Sequence, residues 1–184
     1  MAQSADKIKG INKMKVLITG ATGFLGFALL QYLQARELEV FATGRNPAKV
    51  AEIERLGIPC FPGEIADSDS VSQLVKGMDA VVHTAGLSSP WGPEADFYRT
   101  NVTGTAQIVK ACLQWDVPRL VHISSPSILV ENRHCLDVRE SDPLPRQFVN
   151  AYAKTKYLAE AEVRQGVAQG LEAIMLRPRA IIGK

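Results

Sequence analysis

The stretch KVLITGATGFLGFALLQYL, residues 15–33, decides how the rest of the chain is read. MKVLIT (14–19) is an apolar run that ends at Gly20, as expected for a strand buried on both faces of a parallel sheet. FLGFALLQYLQAR (24–36) then takes up helical periodicity. Between them Gly20, Gly23 and Gly26 are spaced GxxGxxG, one residue different from GxGxxG. Gly20 permits the sharp exit from the strand, Gly23 lets backbone approach a pyrophosphate, and Gly26 allows close packing of helix on sheet. The amino end of the helix supplies partial positive charge for the same phosphates.

Working outward, strand and helix signals alternate to the end of the chain. Strands are expected at 38–43, 58–63, 79–85, 118–125 and 171–178. Helices are expected at 47–56, 67–78, 95–117 (one long helix) and 150–170. Pro47 suits a first helical position, and Asp67 and Ser68 suit a cap. Six short apolar runs separated by helices predict an α/β fold: a doubly wound, Rossmann-type parallel sheet flanked by helices. The segment 126–149, rich in Pro, Asp and Arg, predicts a long loop leaving the carboxyl end of the fifth strand, where ligands of this architecture bind.

Composition narrows the rest. With 184 residues, 46% of them hydrophobic and 22% charged, 14 Gly and 10 Pro, the chain is long enough for a core, which excludes a disordered or collagen-like chain. A net charge of +2 gives no reason to expect nucleic acid or an anionic membrane as partner. No stretch reaches 18 consecutive apolar residues, so no membrane span is expected. Cys60, Cys112 and Cys135 are an odd, scattered set without CxxC spacing, which predicts a reducing, cytoplasmic setting and no zinc site. Residues 1–13 are polar, lack the apolar core of a signal peptide and read as a flexible lead-in to a domain over 14–184. IIGK stops directly after an apolar run, an unusual place for a domain to finish.

The chemistry-bearing residues fall around the expected crevice. Tyr152 and Lys156 are four apart on an expected helix, hence on one face. An ammonium beside a phenol favours the ionised phenol, so the pair could shuttle a proton to or from an alcohol or carbonyl oxygen. Ser124 and Ser125 end the fifth strand, and period-two alternation sends only one of them into the crevice. Ser127 is a candidate substrate contact. The end of the second strand, FATGRN (41–46), carries no acid for a ribose diol. Arg45 could pair with a 2′-phosphate, which favours NADP, with NAD as the alternative. His83 and His122 are expected to be packed, hydrogen-bonded strand residues, Cys60 and Cys112 core residues. His134 and Cys135 are too few for a metal site, and Asp137, Arg139, Glu140 and Asp142 read as a solvated loop.

These motifs together resemble the extended short-chain dehydrogenase/reductase superfamily, of the NAD-dependent epimerase/dehydratase type and most like its 3β-hydroxysteroid dehydrogenase-like branch, from about residue 14 to 184. TGATGFLG (19–26) resembles the cofactor loop, DAVVHTAG (79–86) the fourth-strand segment, NVTGT (101–105) the Asn-bearing helix, VHISSPSI (121–128) the serine-bearing strand end, YAKTK (152–156) the YxxxK motif, and LRPRAIIG (176–183) the RPxxIxG segment. The resemblance implies a cofactor site at Gly20, Thr22, Gly23, Phe24, Leu25, Gly26, Arg45, Glu64, Ile65, Thr84, Ala85, Gly86, Lys156 and Pro178. Glu64 stands where many members carry Asp against adenine. It implies Tyr152 as acid–base, Lys156 as ribose holder, Ser125 as orienter of the substrate oxygen, and a structural role for Asn101. It also implies a substrate-binding lobe beyond residue 184. Trp91, Pro93 and Phe97 lie where substrate contacts begin in such proteins, and Trp91 is the candidate substrate contact among them.

The function these features predict is hydride transfer between a nicotinamide cofactor and a hydroxy or keto compound, steroid-like or otherwise hydrophobic. Sugar-nucleotide epimerisation or dehydration is the second reading, and a non-catalytic nucleotide-binding interaction or regulatory protein the third. The expected partner is a small molecule, and the helices at 95–115 and 150–169 are a possible homodimer surface.

Overall fold

The computed structural model describes residues 13–89, 91–131 and 136–183. The expectations for a lead-in before residue 13 and for His134 and Cys135 lie outside the described residues. Six parallel strands form one sheet in the order β3-β2-β1-β4-β5-β6. They are β1 Met14–Thr19, β2 Leu38–Gly44, β3 Cys60–Pro62, β4 Ala80–His83, β5 Leu120–Ile123 and β6 Ala173–Leu176. The order reverses between β1 and β4, and a crevice opens there at the carboxyl ends of the strands.

Alternation along β1 explains the three layers. Leu17 and Ile18 are both fully buried, on opposite faces. Leu17 packs with Val81, Leu120, Ile108 and Val163, under helices α3 (Ser68–Val75), α5 (Gly104–Gln114) and α6 (Ala151–Ala168). Ile18 packs with Ala42, Leu30, Val50 and Ile53, under α1 (Phe24–Gln34) and α2 (Pro47–Arg55). Capping follows the sequence. The Asn46 side chain accepts from the amides of Ala48 and Lys49, Asp67 from Asp69, and Asn150 from Ala153. Among the described residues no helix is long and apolar enough to cross a membrane.

Two expectations change. The single helix over 95–117 is instead α4 (Glu94–Phe97), a π-helical turn Tyr98–Thr103, and α5. A π-turn inserts a residue into the helical register, which hydrophobic periodicity does not report. The loop at 126–149 opens with a 3₁₀ turn, Pro126–Leu129, capped by the Ser125 side chain, which accepts from the amide of Ser127.

Candidate functional site

The crevice consists of two cavities that share Gly20, Gly23, Thr84 and Gly86. The smaller, about 160 Å³, lies over the ends of β2 and β3 and is lined by Thr22, Gly44, Arg45, Glu64, Ile65 and Ala85 among others. The larger, about 530 Å³, extends toward β5 and β6. Phe24, Leu25, Gly26, Ser125, Tyr152, Lys156 and Pro178 are among the residues that line it. Every residue expected to touch the cofactor therefore lines one cavity or the other. A shallower hollow of about 1100 Å³ lies at the opposite, amino-terminal edge of the sheet and contains none of these residues.

The glycine loop is built to bring backbone close. Gly20 has φ +68°, a left-handed conformation, and a Cβ there would lie 2.6 Å from the Ala85 Cα. A Cβ on Gly26 would lie 2.3 Å from the Gly20 carbonyl oxygen and 2.8 Å from Thr84 Oγ1. Gly23 caps α1 in extended backbone without any side-chain hydrogen bond, and no acidic residue stands in the first turn. The first-turn amides of α1 thus face the crevice without an intrahelical acceptor, a ready anion site. At the far end Glu64 Oε1 is buried without a hydrogen-bond partner, so an acceptor is available inside the smaller cavity. Glycine cradle, helix amino end and free acceptor together fit an adenine dinucleotide.

At the reacting end, α6 brings Tyr152 and Lys156 to one wall. Lys156 is 4% exposed, and its Nζ donates to the Ile123 carbonyl at 2.6 Å, at the end of β5. Burial pushes its pKa down to about 8, against the opposing pull of the Glu160 carboxylate. The two histidines pack below. The His83 ring is held by Thr19 Oγ1 (2.7 Å) and Thr105 Oγ1 (3.1 Å) and lies 5.3 Å from the His122 ring. Burial, and then the charge of Lys156, lower both: His83 to about 3 and His122 well below its ordinary value. Both are packed strand groups as expected, but the hydrogen bonds expected of both are made by His83 alone: both ring nitrogens of His122 are buried without a partner.

Ser125 Oγ takes its hydrogen bond from the Ser127 amide at 3.2 Å, so its own proton remains to be donated into the cavity. Asn101, in the π-turn, accepts from the Leu87 amide (2.7 Å) and donates to the Leu87 carbonyl (3.1 Å) and Thr155 Oγ1 (3.0 Å). It ties the loop after β4 to α6 next to Lys156. Ser127 and Trp91 are not brought to the crevice. The Ser127 hydroxyl is buried without a partner outside both cavities, and Trp91 is 81% exposed. Ser88, Arg179 and Ile181 line the larger cavity and were not anticipated; their proximity to Gly86 and Pro178 in sequence was the available signal. Among the described residues no group of His, Cys, Asp and Glu gathers to hold a metal.

The profile of the NAD dependent epimerase/dehydratase family matches residues 16–184, and the chain belongs to that family. Among characterised relatives it is similar to 4-hydroxy-2-methyl-3-oxo-4-farnesyl-3,4-dihydroquinoline-1-oxide ketoreductase of Stigmatella aurantiaca, 34% identical over 92% of this chain and 51% of the relative. Among solved structures it is similar to a short-chain dehydrogenase/reductase superfamily protein of Agrobacterium tumefaciens with bound NAD (TM-score 0.78, 29% identity, 89% of this chain and 48% of that one). It is also similar to UDP-glucuronic acid 4-epimerase of Bacillus cereus in complex with NAD (TM-score 0.75, 27% identity, 89% and 56%). The chain spans about half the length of the curated relatives it matches.

These structures correct the choice of NADP, which rested on Arg45: both hold NAD. The geometry gives a reason. Arg45 Nη1 lies 3.4 Å from Glu64 Oε2, so the guanidinium expected to meet a 2′-phosphate already has a carboxylate partner.

Proposed function

We propose that this chain supplies the cofactor site and the acid–base group of an NAD-dependent enzyme that interconverts a secondary alcohol and its ketone. One observation carries the reading: Tyr152, Lys156 and Ser125 line the same cavity as Gly20, Gly23, Gly26 and Pro178. A dinucleotide with its phosphates on the glycine loop and its adenine toward Glu64 would extend its other end into that cavity.

Bound in that orientation, the cofactor supplies the acceptor or donor of hydride. The remaining steps belong to the side chains. The Ser125 hydroxyl donates to the substrate oxygen and fixes its direction. On oxidation, the Tyr152 oxygen, acting as phenolate, would take the alcohol O–H proton, and the bound cofactor would supply the acceptor for the carbinol hydride, leaving a ketone. On reduction both transfers reverse. Lys156 spends one N–H on the Ile123 carbonyl and has two left for a ribose hydroxyl and for charge stabilisation beside the phenol oxygen.

Two uses of this step are supported by different relatives. The family description and the similarity to UDP-glucuronic acid 4-epimerase favour a sugar-nucleotide substrate that is oxidised and then reduced again or dehydrated. The similarity to a ketoreductase of a farnesylated quinoline favours net reduction of a hydrophobic ketone. We place the epimerase/dehydratase reading first; no feature of the cavity singles out a steroid-like substrate.

The test is to incubate the chain with NAD and UDP-sugars, and with NADH and 3-oxo or aromatic ketones. Cofactor absorbance and product isomers are followed, with Tyr152→Phe as control. Isomer formation without net absorbance change supports the first reading, and net NADH consumption the second. Turnover that survives Tyr152→Phe overturns the proton-transfer assignment.

A further inference from the structure

Helix α6 carries a second ionisable group that the mechanism above does not use. Glu160 lies one turn beyond Lys156 on the same helical face and is fully buried. Arg177 Nε and Nη2 reach its two oxygens at 2.8 and 2.7 Å, and Arg164 Nη1 adds a third bond at 3.1 Å. Burial alone would raise the carboxyl pKa, but the hydrogen bonds and charge of Arg177, with smaller contributions from Ser124 and Arg164, together outweigh it, and Glu160 is held below its ordinary value as a carboxylate. A planar guanidinium meeting a carboxylate through two parallel bonds fixes distance and angle together.

The location of Arg177 gives the pair its meaning. It directly follows β6 and directly precedes Pro178, and Pro178, Arg179 and Ile181 form one wall of the larger cavity. Tyr152 and Lys156, on the helix that carries Glu160, line the same cavity. The Ser124 amide donates to the Leu176 carbonyl at 2.7 Å, so the last residue of β6 is already fixed to β5. Beyond that bond, Arg177 ties the departing chain to α6. Its outer edge also faces Glu140 of the 126–149 loop, at 3.7 Å and highly exposed, which adds little. A buried ion pair of this kind is weak grounds for stability, since apolar replacements of similar volume are often neutral. It is better grounds for geometry.

We propose that Glu160 and Arg177 are positioning residues for the reacting end of the cleft: their bidentate pair sets the Pro178 wall at its distance from Lys156 and so shapes the slot for the nicotinamide riboside. The proposal rests on the dinucleotide reading above. It assigns the pair no contact with the adenosine half, which lies beyond the shared glycines, and that separation makes it testable without turnover.

The experiment compares two probes on the purified chain by calorimetric titration: NAD, and ADP, which lacks the nicotinamide riboside. In Glu160→Gln and Arg177→Lys, NAD affinity is expected to fall about tenfold while ADP affinity changes less than about twofold, the scale of a misplaced wall. A fold defect would weaken both probes in parallel. Because leaving one buried charge unpaired can unfold the chain, the double replacement Glu160→Leu with Arg177→Met is measured as well. It removes both charges and is expected to fold and still lose the preference for NAD over ADP. Parallel loss of both probes in the folded single variants, or a double variant with wild-type preference, overturns the proposal. A wild-type chain that binds ADP but not NAD also refutes it, and one that binds neither refutes the dinucleotide reading itself.

Discussion

Replacing Gly26 by Ala is the most direct probe of the glycine loop. The new Cβ would sit 2.3 Å from the Gly20 carbonyl oxygen, 2.8 Å from its carbonyl carbon and 2.8 Å from Thr84 Oγ1. Two of these atoms are backbone. Gly20 cannot retreat, because its own vacant Cβ position already lies 2.6 Å from Ala85 Cα. Nor does Thr84 turn away freely, since its hydroxyl donates to the Thr19 carbonyl at 2.6 Å. The strain is relieved only by lifting the start of α1 off β1 and β4. Overpacking of this kind costs about 1–3 kcal/mol, or roughly 2–12 °C in Tm for a domain of this size. Displacing the helix amino end also weakens phosphate binding, by about tenfold if the loss is near 1.4 kcal/mol. Gly57→Ala is the control. Its φ of +80° makes any side chain strained, but nothing lies within 4 Å of the new Cβ. It is expected to cost about 1–2 kcal/mol in stability and to leave NAD affinity unchanged. Calorimetric unfolding and NAD titration measure both effects. Gly26→Ala with wild-type Tm and wild-type affinity would refute the reasoning.

Other expectations follow from the same geometry. Tyr152→Phe should lower turnover by roughly a hundredfold to ten-thousandfold with NAD affinity nearly intact, read from steady-state rates and titration; a matching loss of affinity would show that the phenol binds rather than reacts. His83 is neutral in the folded chain down to about pH 3, whereas it protonates near its ordinary value of 6.5 once unfolded. The unfolded state therefore binds the extra proton between those values, and stability is lost as pH falls through that window. Urea midpoints should decline there and decline less in His83→Gln; identical slopes would count against it. Lys156 has its folded value lowered from 10.5 to about 8, so the unfolded state binds more protons between the two and stability should rise with pH across that range. Lys156→Met should remove the rise. Leu17→Ala, at a fully buried centre of the sheet, should cost about 2–5 kcal/mol in denaturant unfolding.

The sheet was legible because its strands are buried on both faces: a run such as 14–19 must be apolar throughout, and β1 occupies that span. β3 is shorter than the expected 58–63 because prolines at 59 and 62 flank Cys60 and Phe61 and limit the ladder. The π-turn was not legible, since one inserted residue leaves the apolar pattern of 95–117 looking like one helix. At the site, the glycine loop, Glu64, Thr84, Ala85, Gly86, Ser125, Tyr152 and Lys156 line the two cavities, whereas Ser127 and Trp91 do not. What pairs across distance was missed. Glu160 and Arg177 are 17 residues apart, and a glutamate on a helix reads as solvated until the strand end folds against it. Arg45 misled for the same reason: its identity is visible in sequence, its pairing with Glu64 is not.

The central claim is that one dinucleotide spans the crevice from Glu64 to Tyr152. A crystal structure of the chain grown with NAD tests it most directly. The expected result places the pyrophosphate on the backbone of Gly23 and the start of α1, adenine against Glu64, and the nicotinamide between Tyr152 and Pro178. NAD in the hollow at the amino-terminal edge of the sheet, or in the crevice with its ends reversed, would contradict it.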